Sequence, residues 1–458
     1  RIFIALHYNF TDNALDAFKG QKPKCDILTG YDLQNSSIDW NKFDPDNPDK
    51  IFYKRKTLRD DQINALNNVI ENFKTHDKGK LIMACGTGKT FTALKIAENF
   101  AGKGKLILFL VPSISLLSQS YKSWLDDSEI NLNCLAVCSD SSPTENGTKQ
   151  KIYYDEEDLK ISELTFKATT DANELIENFN SIPNDKKLNS MTVIFSTYHS
   201  LQVMHEAQLI GLPDFDLIIC DEAHRTAGIS RDKKKDSKFI LVHEKYNFIR
   251  AKKRLYMTAT PKIYKDKLKN KADEKNAVLC SMDEVNIFGP EFFNFSFSQA
   301  IDKNLLSDYK VIIFMVDPSV LSEHLINFPS IPNVDKLAKI AACKKALMEQ
   351  FSSQVFNFIK EDSELPMKSA VAFSNTINNS EAFVAGFNNF IEKIHPEDAS
   401  NYKAEHVDGN TSANERNKLI KWLGNSKPGE CHILSNAKCL SEGVDVPSLD
   451  AILFLSSR

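Results

Sequence analysis

The feature that most constrains this chain is the stretch LIMACGTGKT, residues 81–90, where an apolar run passes into a glycine-rich loop. Gly86 and Gly88 allow backbone conformations and close approaches that a Cβ would block. If a strand precedes the loop and a helix follows it, the unpaired amides of the helix N-terminus favour an anion such as phosphate. Lys89 would then reach the β and γ phosphates, and the Thr90 hydroxyl would lie on Mg²⁺.

This loop is a variant of the strict phosphate-binding motif, because Met83 stands where that motif has its first glycine. The alternative interpretation is a tight turn between a strand and a helix, without a ligand. A lysine and a threonine directly after the glycines favour nucleotide binding over that alternative.

A second candidate site lies in FDLIICDEAHRT, residues 215–226, where an apolar strand ends in two carboxylates. A buried parallel strand would place Asp221 and Glu222 at the carboxyl edge of the sheet, where α/β proteins bind their ligands. Asp221 could hold Mg²⁺ through water, and Glu222 could accept a proton from the attacking water. A charged turn with a helix-capping aspartate is the alternative. The glycine loop in the same predicted sheet makes that alternative the weaker one.

A third stretch, RLYMTATPK at residues 254–262, also leads from a strand into hydroxyl side chains. Alone, Thr258 and Thr260 would be interpreted as turn or cap residues. Their position after the strand that carries the acids makes them candidates for the same site.

The pattern of apolar runs predicts an α/β fold with two mainly parallel sheets. Runs rich in Val, Ile, Leu and Phe alternate with amphipathic stretches, as in strands that are buried on both faces. The first series of strands is predicted at 80–84, 105–111, 133–138, 192–197, 215–220 and 254–258; the second comprises YKVIIFMV, SAVAF, AEHVD, CHILS and DAILFLS. With 458 residues the chain is too long for one core.

We therefore expect three parts: residues 1–50, 51–265 and 266–458. The first is expected to be the end of a partial α/β domain, with two strands and one helix. The lysine-rich stretch from residue 266 is expected to be a solvated connector that opens the third part. Residues 139–190 are polar enough to be a long insertion or a mobile loop.

Composition excludes several classes of protein. No apolar run approaches the roughly 20 residues that a bilayer-spanning helix needs, so no membrane partner is expected. The N-terminus carries no signal-peptide pattern. The nine cysteines lack zinc-ligand spacing, which favours reduced thiols and a cytoplasmic location. The net charge of −4 gives no global basic signature for nucleic acid, although a cleft can be locally basic.

Taken in order, LRDDQ, MACGTGKT, VPSISLL, FSTYHSL, DEAH, TATP, AFSN and LSEGVDVPSLD resemble the motif series of superfamily two helicases and translocases. The resemblance covers residues 57–458. It implies two tandem RecA-like P-loop domains that use ATP and Mg²⁺, with nucleic acid bound across both.

The resemblance also assigns roles by position. The nucleotide-binding residues would be Gln62, Gly86, Thr87, Gly88, Lys89, Thr90, Gly443 and Asp445, with Thr90 and Asp221 on the metal. Catalysis would fall to Lys89, Asp221, Glu222 and His224, and coupling of hydrolysis to domain closure to Thr258 and Thr260. Pro112, Ser113, Ser196, Thr197 and Ser374 would contact the nucleic-acid backbone.

Within the superfamily, the sequence is most similar to the motors of type I-like restriction enzymes, in particular the single-polypeptide enzymes of type ISP. The N-terminal stretch RIFIALHYNFTDNALDAF resembles the closing part of an Mrr-like nuclease domain, with an unrelated α/β linker as the alternative. This resemblance implies ATP-driven movement along double-stranded DNA, with methyltransferase and target-recognition modules as partners and endonuclease activity in the full protein. The alternatives are a stand-alone DNA-repair or RNA helicase and a nucleotide-gated binding module without motor activity.

In this family an arginine finger of the second domain follows the last strand. Arg458 lies at the end of that strand and is not expected to be the finger. Because such an arginine is worth roughly 10³ to 10⁵ in rate, residues 1–458 alone are expected to bind ATP and to hydrolyse it slowly.

Overall fold

The computed structural model describes residues 2–5, 26–29, 55–138, 168–230, 238–243, 247–265, 278–309, 340, 343, 367–394, 396, 399–409, 411, 413–427, 429–437, 440 and 449–455. These residues belong to two compact units, of which the first ends at Asp308 and the second begins at Tyr309.

Fifteen strands and ten α-helices are described. The strands are β1 (Ile2–Ala5), β2 (Asp26–Thr29), β3 (Lys78–Met83), β4 (Leu106–Val111), β5 (Leu132–Val137), β6 (Met191–Thr197), β7 (Phe215–Cys220), β8 (Gly228–Ser230), β9 (Ala251–Thr258), β10 (Val278–Cys280), β11 (Glu291–Phe295), β12 (Ser369–Phe373), β13 (Tyr402–Val407), β14 (Cys431–Asn436) and β15 (Ala451–Phe454). The helices are α1 (Asp60–Phe73), α2 (Lys89–Phe100), α3 (Ile114–Asp127), α4 (Ala172–Ser181), α5 (Asn184–Asn189), α6 (Leu201–Leu209), α7 (Val285–Phe288), α8 (Phe297–Asp302), α9 (Ile377–Ile394) and α10 (Ala413–Gly424). Short 3₁₀ turns cover Tyr198–Ser200, Ala223–Thr226 and Lys238–Val242.

The first unit is built on a seven-stranded sheet in the order β11-β3-β9-β7-β4-β6-β5. Every pair of neighbours in it is parallel. The six strands that the sequence predicted for this part are all present, and the predicted α/β class is confirmed. Because all seven strands run the same way, the loops that follow β3, β7 and β9 leave the sheet at one edge.

The apolar runs form strands because both faces of the sheet are covered. Every residue of β4, β5 and β6 is buried. Leucine and phenylalanine side chains contribute about 1.5 to 3 kcal/mol each when they are fully buried. In α3, Trp124 is fully buried and lies edge-on to Phe109 and Phe195 of the sheet. At the other end of that helix, the Ser113 hydroxyl accepts a hydrogen bond from the Leu116 amide and caps it.

The first unit extends further than the sequence predicted. Its boundary was expected at residue 265, but β11 pairs in parallel with β3 and completes the sheet. Phe292 and Phe295 are buried there, so an aromatic stretch that was placed in the third part of the chain contributes to the core of the first unit. The stretch EFFNF is rich in phenylalanine, a residue type that is enriched in strands.

The stretch at residues 139–190 also differs in part from the prediction of an insertion or loop. Helices α4 and α5 occupy its second half, and Leu175 of α4 is fully buried in the core of the first unit. Asp171 caps the N-terminus of α4, and its carboxylate accepts hydrogen bonds from the amides of Asn173 and Glu174. Residues 139–167 lie outside the described part of the chain.

The second unit has its own parallel sheet, in the order β13-β14-β12-β15. Its four strands match SAVAF, AEHVD, CHILS and DAILFLS, whereas YKVIIFMV lies, apart from Tyr309, outside the described residues. Phe387 and Phe390 of α9 pack on one face of this sheet, and Leu423 of α10 packs on the other. Two mainly parallel sheets are therefore present, as predicted for tandem RecA-like domains.

Near the N-terminus, β1 pairs in parallel with β2, which agrees with the two strands predicted in residues 1–50. The helix predicted between them lies outside the described residues. Among the helices that are described, none combines the length and the apolar character needed to cross a membrane.

Replacement of Gly289 tests whether β11 belongs to the first unit. Gly289 has φ +74°, and a Cβ there would lie 2.1 Å from the Lys78 carbonyl oxygen. We expect Gly289→Ala to destabilise the edge of the sheet by about 2 to 4 kcal/mol, because it adds backbone strain and a steric clash. Hydrogen exchange of peptides from β3, followed by mass spectrometry, should become faster.

The matched control is Gly228→Ala, because a Cβ at Gly228 meets no atom within 4 Å. Its exchange should equal that of the wild type. If exchange in β3 is unchanged in Gly289→Ala, the placement of β11 beside β3 is wrong.

Candidate nucleotide site

The glycine loop connects the end of β3 to the start of α2, as predicted. Gly86 and Gly88 both adopt the left-handed backbone region, with φ of +78° and +84°. The φ of Gly88 favours glycine, and a Cβ there would also lie 2.6 Å from Nε2 of Gln62, which would have to shift. Thr87 folds inward, and its hydroxyl donates a 2.6 Å hydrogen bond to the Ala84 carbonyl. Met83 is the last residue of β3 and is fully buried, so the position that departs from the strict motif belongs to the strand.

Two side chains at the start of α1 hold the loop from outside. Gln62 is buried; its Nε2 donates to the Thr87 carbonyl over 3.2 Å, and its Oε1 accepts from the Arg59 amide over 3.1 Å. Arg59 donates to the same Thr87 carbonyl over 2.6 Å and also pairs with Asp61. Gln62, which is predicted to read the base of a nucleotide, is thus seen to hold the glycine loop; its contact to a nucleotide stays a prediction.

The central contact of the site joins the loop to the acid strand. Lys89 Nζ lies 3.9 Å from Glu222 Oε1, and both side chains are largely buried. Lys89 Nζ also lies 4.0 Å from the Cys85 thiol. A largely buried ammonium beside a carboxylate is a charge pair that can accommodate the added negative charge of a phosphate.

Asp221 and Glu222 follow β7 and differ in their environments. Burial, together with the negative charge of Glu222, raises the pKa of Asp221 to about 7. Burial also acts to raise the pKa of Glu222, but the hydrogen bond from His224 and the charge of Lys89 outweigh it and lower this pKa. Glu222 is thus ionised at neutral pH, whereas Asp221 has a pKa close to neutrality, so a nearby cation would favour its ionised form.

The other residues that were predicted to act in catalysis and coupling are linked to Glu222 by contacts. His224 Nδ1 lies 3.3 Å from Glu222 Oε2 and 3.1 Å from the Thr258 hydroxyl. The Thr258 hydroxyl in turn donates to the Thr260 carbonyl and accepts from the Thr260 amide, both over 3.2 Å. Contacts therefore run without a break from Lys89 to Thr260, across three loops that leave the same sheet edge.

Two residues of this site carry oxygen atoms that could hold a magnesium ion. Asp221 offers a carboxylate and Thr90 a hydroxyl, and Mg²⁺ is bound in proteins by one or two such groups together with water and phosphate oxygens. In the described part of the chain, no three His, Cys, Asp or Glu side chains are arranged so that they could hold a metal ion by themselves.

The predicted nucleic-acid residues of the first unit lie at the ends of β4 and β6. Ser113 is half-buried and caps α3, and Pro112 is buried. Ser196 and Thr197 are buried, and their hydroxyls bond to the Thr197 carbonyl and to the Ser200 hydroxyl. These two hydroxyls serve the turn and do not face solvent.

The remaining predicted residues belong to the second unit. Ser374 is buried directly after β12, and its amide donates to the Asn436 carbonyl over 2.8 Å. Gly443, Asp445 and Arg458 lie outside the described residues.

Two contacts to the loop were missed by the sequence analysis. Arg59 was not singled out, although its position three residues before Gln62 in LRDDQ could have indicated it. Trp124 Nε1 donates to the Thr90 carbonyl over 3.1 Å, and no sequence pattern points to this contact because its acceptor is a backbone group.

Two protein families match the chain. Residues 55–263 match the family described as "Type III restriction enzyme, res subunit", and residues 345–458 match the one described as "Helicase conserved C-terminal domain". The first match contains the predicted motifs from LRDDQ to TATP, and the second contains AFSN and LSEGVDVPSLD.

Solved structures and curated relatives agree with these families. The ATP-dependent Type ISP restriction-modification enzyme LlaBIII, solved bound to DNA, is 34% identical with a TM-score of 0.74, and the match covers 100% of this chain and 29% of LlaBIII. A nuclease-deletion mutant of the Type ISP enzyme LlaGI, in complex with a DNA substrate mimic, is 30% identical with a TM-score of 0.58, covering 87% of this chain and 25% of LlaGI. A probable helicase of African swine fever virus is 24% identical over 404 residues, 87% of this chain and 37% of the viral protein.

This chain thus spans less than two fifths of the length of each of these relatives. By these matches the chain carries a restriction-enzyme res-subunit domain at residues 55–263, followed by a helicase C-terminal domain at residues 345–458, and it is structurally similar to Type ISP restriction-modification enzymes.

Proposed function

We propose that this chain is the ATP-dependent motor of a restriction-modification enzyme and that it moves along double-stranded DNA. The observation that supports this most is the unbroken set of contacts from Gln62 through the glycine loop and Lys89 to Glu222, His224 and Thr258. A tight turn without a ligand would not need a largely buried lysine beside two buried acids.

In the proposed reaction, the amides of Gly86 to Thr90 bind the phosphates of ATP, and Lys89 neutralises their charge. A bound Mg²⁺, held by Thr90 and Asp221, would supply further charge neutralisation to the phosphates. Glu222 orients the attacking water and accepts its proton. His224 holds the Glu222 carboxylate and links it to Thr258 and Thr260.

Double-stranded DNA is proposed as the track because LlaBIII and LlaGI were solved with DNA and DNA-mimic ligands and share this architecture. The half-buried Ser113 and the loop ends beside it offer hydroxyls and amides for backbone phosphates. We propose that Gly443 and Asp445 meet the nucleotide from the second domain and that Ser374 belongs to its DNA-contacting segment.

Further modules of the full protein are also proposals. A methyltransferase and a target-recognition module would act with this motor, and residues 1–50 would be the end of an Mrr-like nuclease domain. A cytoplasmic location is proposed as well, because the nine cysteines of the sequence lack zinc-ligand spacing.

Two substitutions should separate ATP binding from hydrolysis. Lys89→Ala should weaken ATP binding by about tenfold or more, because it removes a charge-assisted contact to phosphate. Glu222→Gln should keep ATP affinity near that of the wild type and lower the rate of phosphate release by about 10² to 10⁴, because the amide cannot accept the proton. Fluorescent-nucleotide titration and single-turnover phosphate release measure the two effects.

Glu206→Gln is the matched control, since Glu206 is an exposed carboxylate of the same unit. It should behave as the wild type in both assays. If Glu222→Gln releases phosphate at the wild-type rate, Glu222 does not have the proposed role.

Displacement assays distinguish the proposed motor from the alternatives. A translocase that follows intact duplex should remove a third strand from a DNA triplex in an ATP-dependent manner and leave an ordinary duplex unseparated. A repair or RNA helicase would separate the duplex instead. A nucleotide-gated binding module would displace neither strand while it still bound ATP, and that result would contradict motor activity.

A further inference from the structure

Tyr198 is a fully buried tyrosine whose hydroxyl reaches the catalytic turn. It begins the 3₁₀ turn Tyr198–Ser200 directly after β6, and its ring stacks on Phe239 at a centroid distance of 4.9 Å. Its hydroxyl donates a 2.8 Å hydrogen bond to the backbone carbonyl of Asp221. Burial raises the pKa of Tyr198 well above its ordinary value, so the phenol remains a donor at working pH.

The hydrogen bond from Tyr198 to Asp221 joins segments that follow two strands which are not neighbours in the sheet. In the strand order, β4 lies between β6, which precedes Tyr198, and β7, which precedes Asp221. The Asp221 amide donates to the Leu110 carbonyl of β4 over 2.8 Å. The backbone of Asp221 is thus held at its amide by the end of β4 and at its carbonyl by the segment that follows β6.

The peptide that Tyr198 contacts leads into a residue with an unusual backbone. Glu222 has φ +47° and ψ +46°, in the left-handed region that a non-glycine residue rarely adopts. Its amide donates to Asp221 Oδ1 over 3.0 Å, while Tyr198 holds the carbonyl of the same peptide. Such a conformation persists only where surrounding contacts determine it. In this conformation the Glu222 carboxylate reaches both Lys89 and His224.

We propose that Tyr198 is a positioning residue for ATP hydrolysis: its hydroxyl fixes the Asp221–Glu222 peptide and makes the placement of the Glu222 carboxylate depend on the segment Ser196–Ser200. This inference rests on the proposed function, in which Glu222 orients the attacking water.

The segment Ser196–Ser200 also includes residues that were predicted to contact nucleic acid. Ser196 and Thr197 occupy the stretch that resembles a nucleic-acid-contacting motif, yet their hydroxyls are buried within the turn. Tyr198 follows them directly and touches the acid strand. A shift of this turn when DNA binds at the sheet edge would therefore move the Tyr198 hydroxyl and, with it, the peptide that carries Glu222.

The test is Tyr198→Phe, which removes one oxygen and keeps the buried ring. ATP affinity should stay within about twofold of the wild type, because no contact to the glycine loop is lost. The single-turnover rate of phosphate release in the presence of DNA should fall about tenfold or more, as expected when a catalytic group is displaced slightly. The ratio of the rates with and without DNA should fall as well.

Tyr256→Phe is the matched control. Tyr256 is an equally buried tyrosine of the same unit, and its hydroxyl lies 3.1 Å from His243 Nδ1 rather than at the acid turn. Below the unfolding temperatures of both variants, Tyr256→Phe should keep the wild-type rate and the wild-type stimulation by DNA. A loss of rate that is equal in the two variants would assign Tyr198 a purely structural role and overturn the proposal.

The double variant Tyr198→Phe with Glu222→Gln shows whether the tyrosine acts through Glu222. Its residual rate should equal that of Glu222→Gln within about twofold, because the carboxylate that Tyr198 positions is already lost. Multiplicative losses would overturn the proposal. If Glu222→Gln itself had no effect, the proposed function would fail, whereas a normal Tyr198→Phe beside a slow Glu222→Gln would reject only the role of Tyr198.

Discussion

The parallel alignment of β3, β9 and β7 is the constraint on which the rest of this structure depends. These three strands are neighbours in the sheet and run in the same direction, so the loops that follow them meet at its carboxyl edge. The glycine loop, the two acids and the two threonines are far apart in sequence. The sheet brings them into one connected group in which Lys89 lies 3.9 Å from Glu222.

The charges of this group are compatible with burial only because they are arranged together. Isolated buried charges are costly, and pairing with hydrogen bonds offsets the cost. Here Lys89 faces Glu222, which also contacts His224, while Asp221 keeps a raised pKa of about 7. The arrangement concentrates one ammonium, one ionised carboxylate and one easily deprotonated acid in a small volume. That combination suits a ligand with negative phosphates and a divalent cation, and the left-handed backbone of Glu222 fits a site that is held in place for function.

Much of the fold could be predicted from the sequence because strands buried on both faces leave uninterrupted apolar runs. The six runs of the first series all became strands of one parallel sheet. The prediction failed for β11, since EFFNF follows a lysine-rich stretch, and only the pairing with β3 reveals it as the edge of the first unit. In the site, side chains with their own chemistry, such as Lys89 and Glu222, could be found by motif. Contacts to backbone carbonyls were not found: those of Trp124 to Thr90 and of Tyr198 to Asp221 depend on the fold and leave no mark in composition or spacing. For the contact of Arg59 to Thr87, only the position of Arg59 in LRDDQ gave an indication.

The central claim is that one sheet edge binds one magnesium nucleotide between the glycine loop and the acid turn. A crystal structure with Mg²⁺ and a non-hydrolysable ATP analogue tests this most directly. We expect the phosphates on the amides of Gly86 to Thr90, and the metal between the Thr90 hydroxyl and the Asp221 carboxylate. Phosphates bound away from Lys89, or a metal that contacts neither Thr90 nor Asp221, would contradict the account.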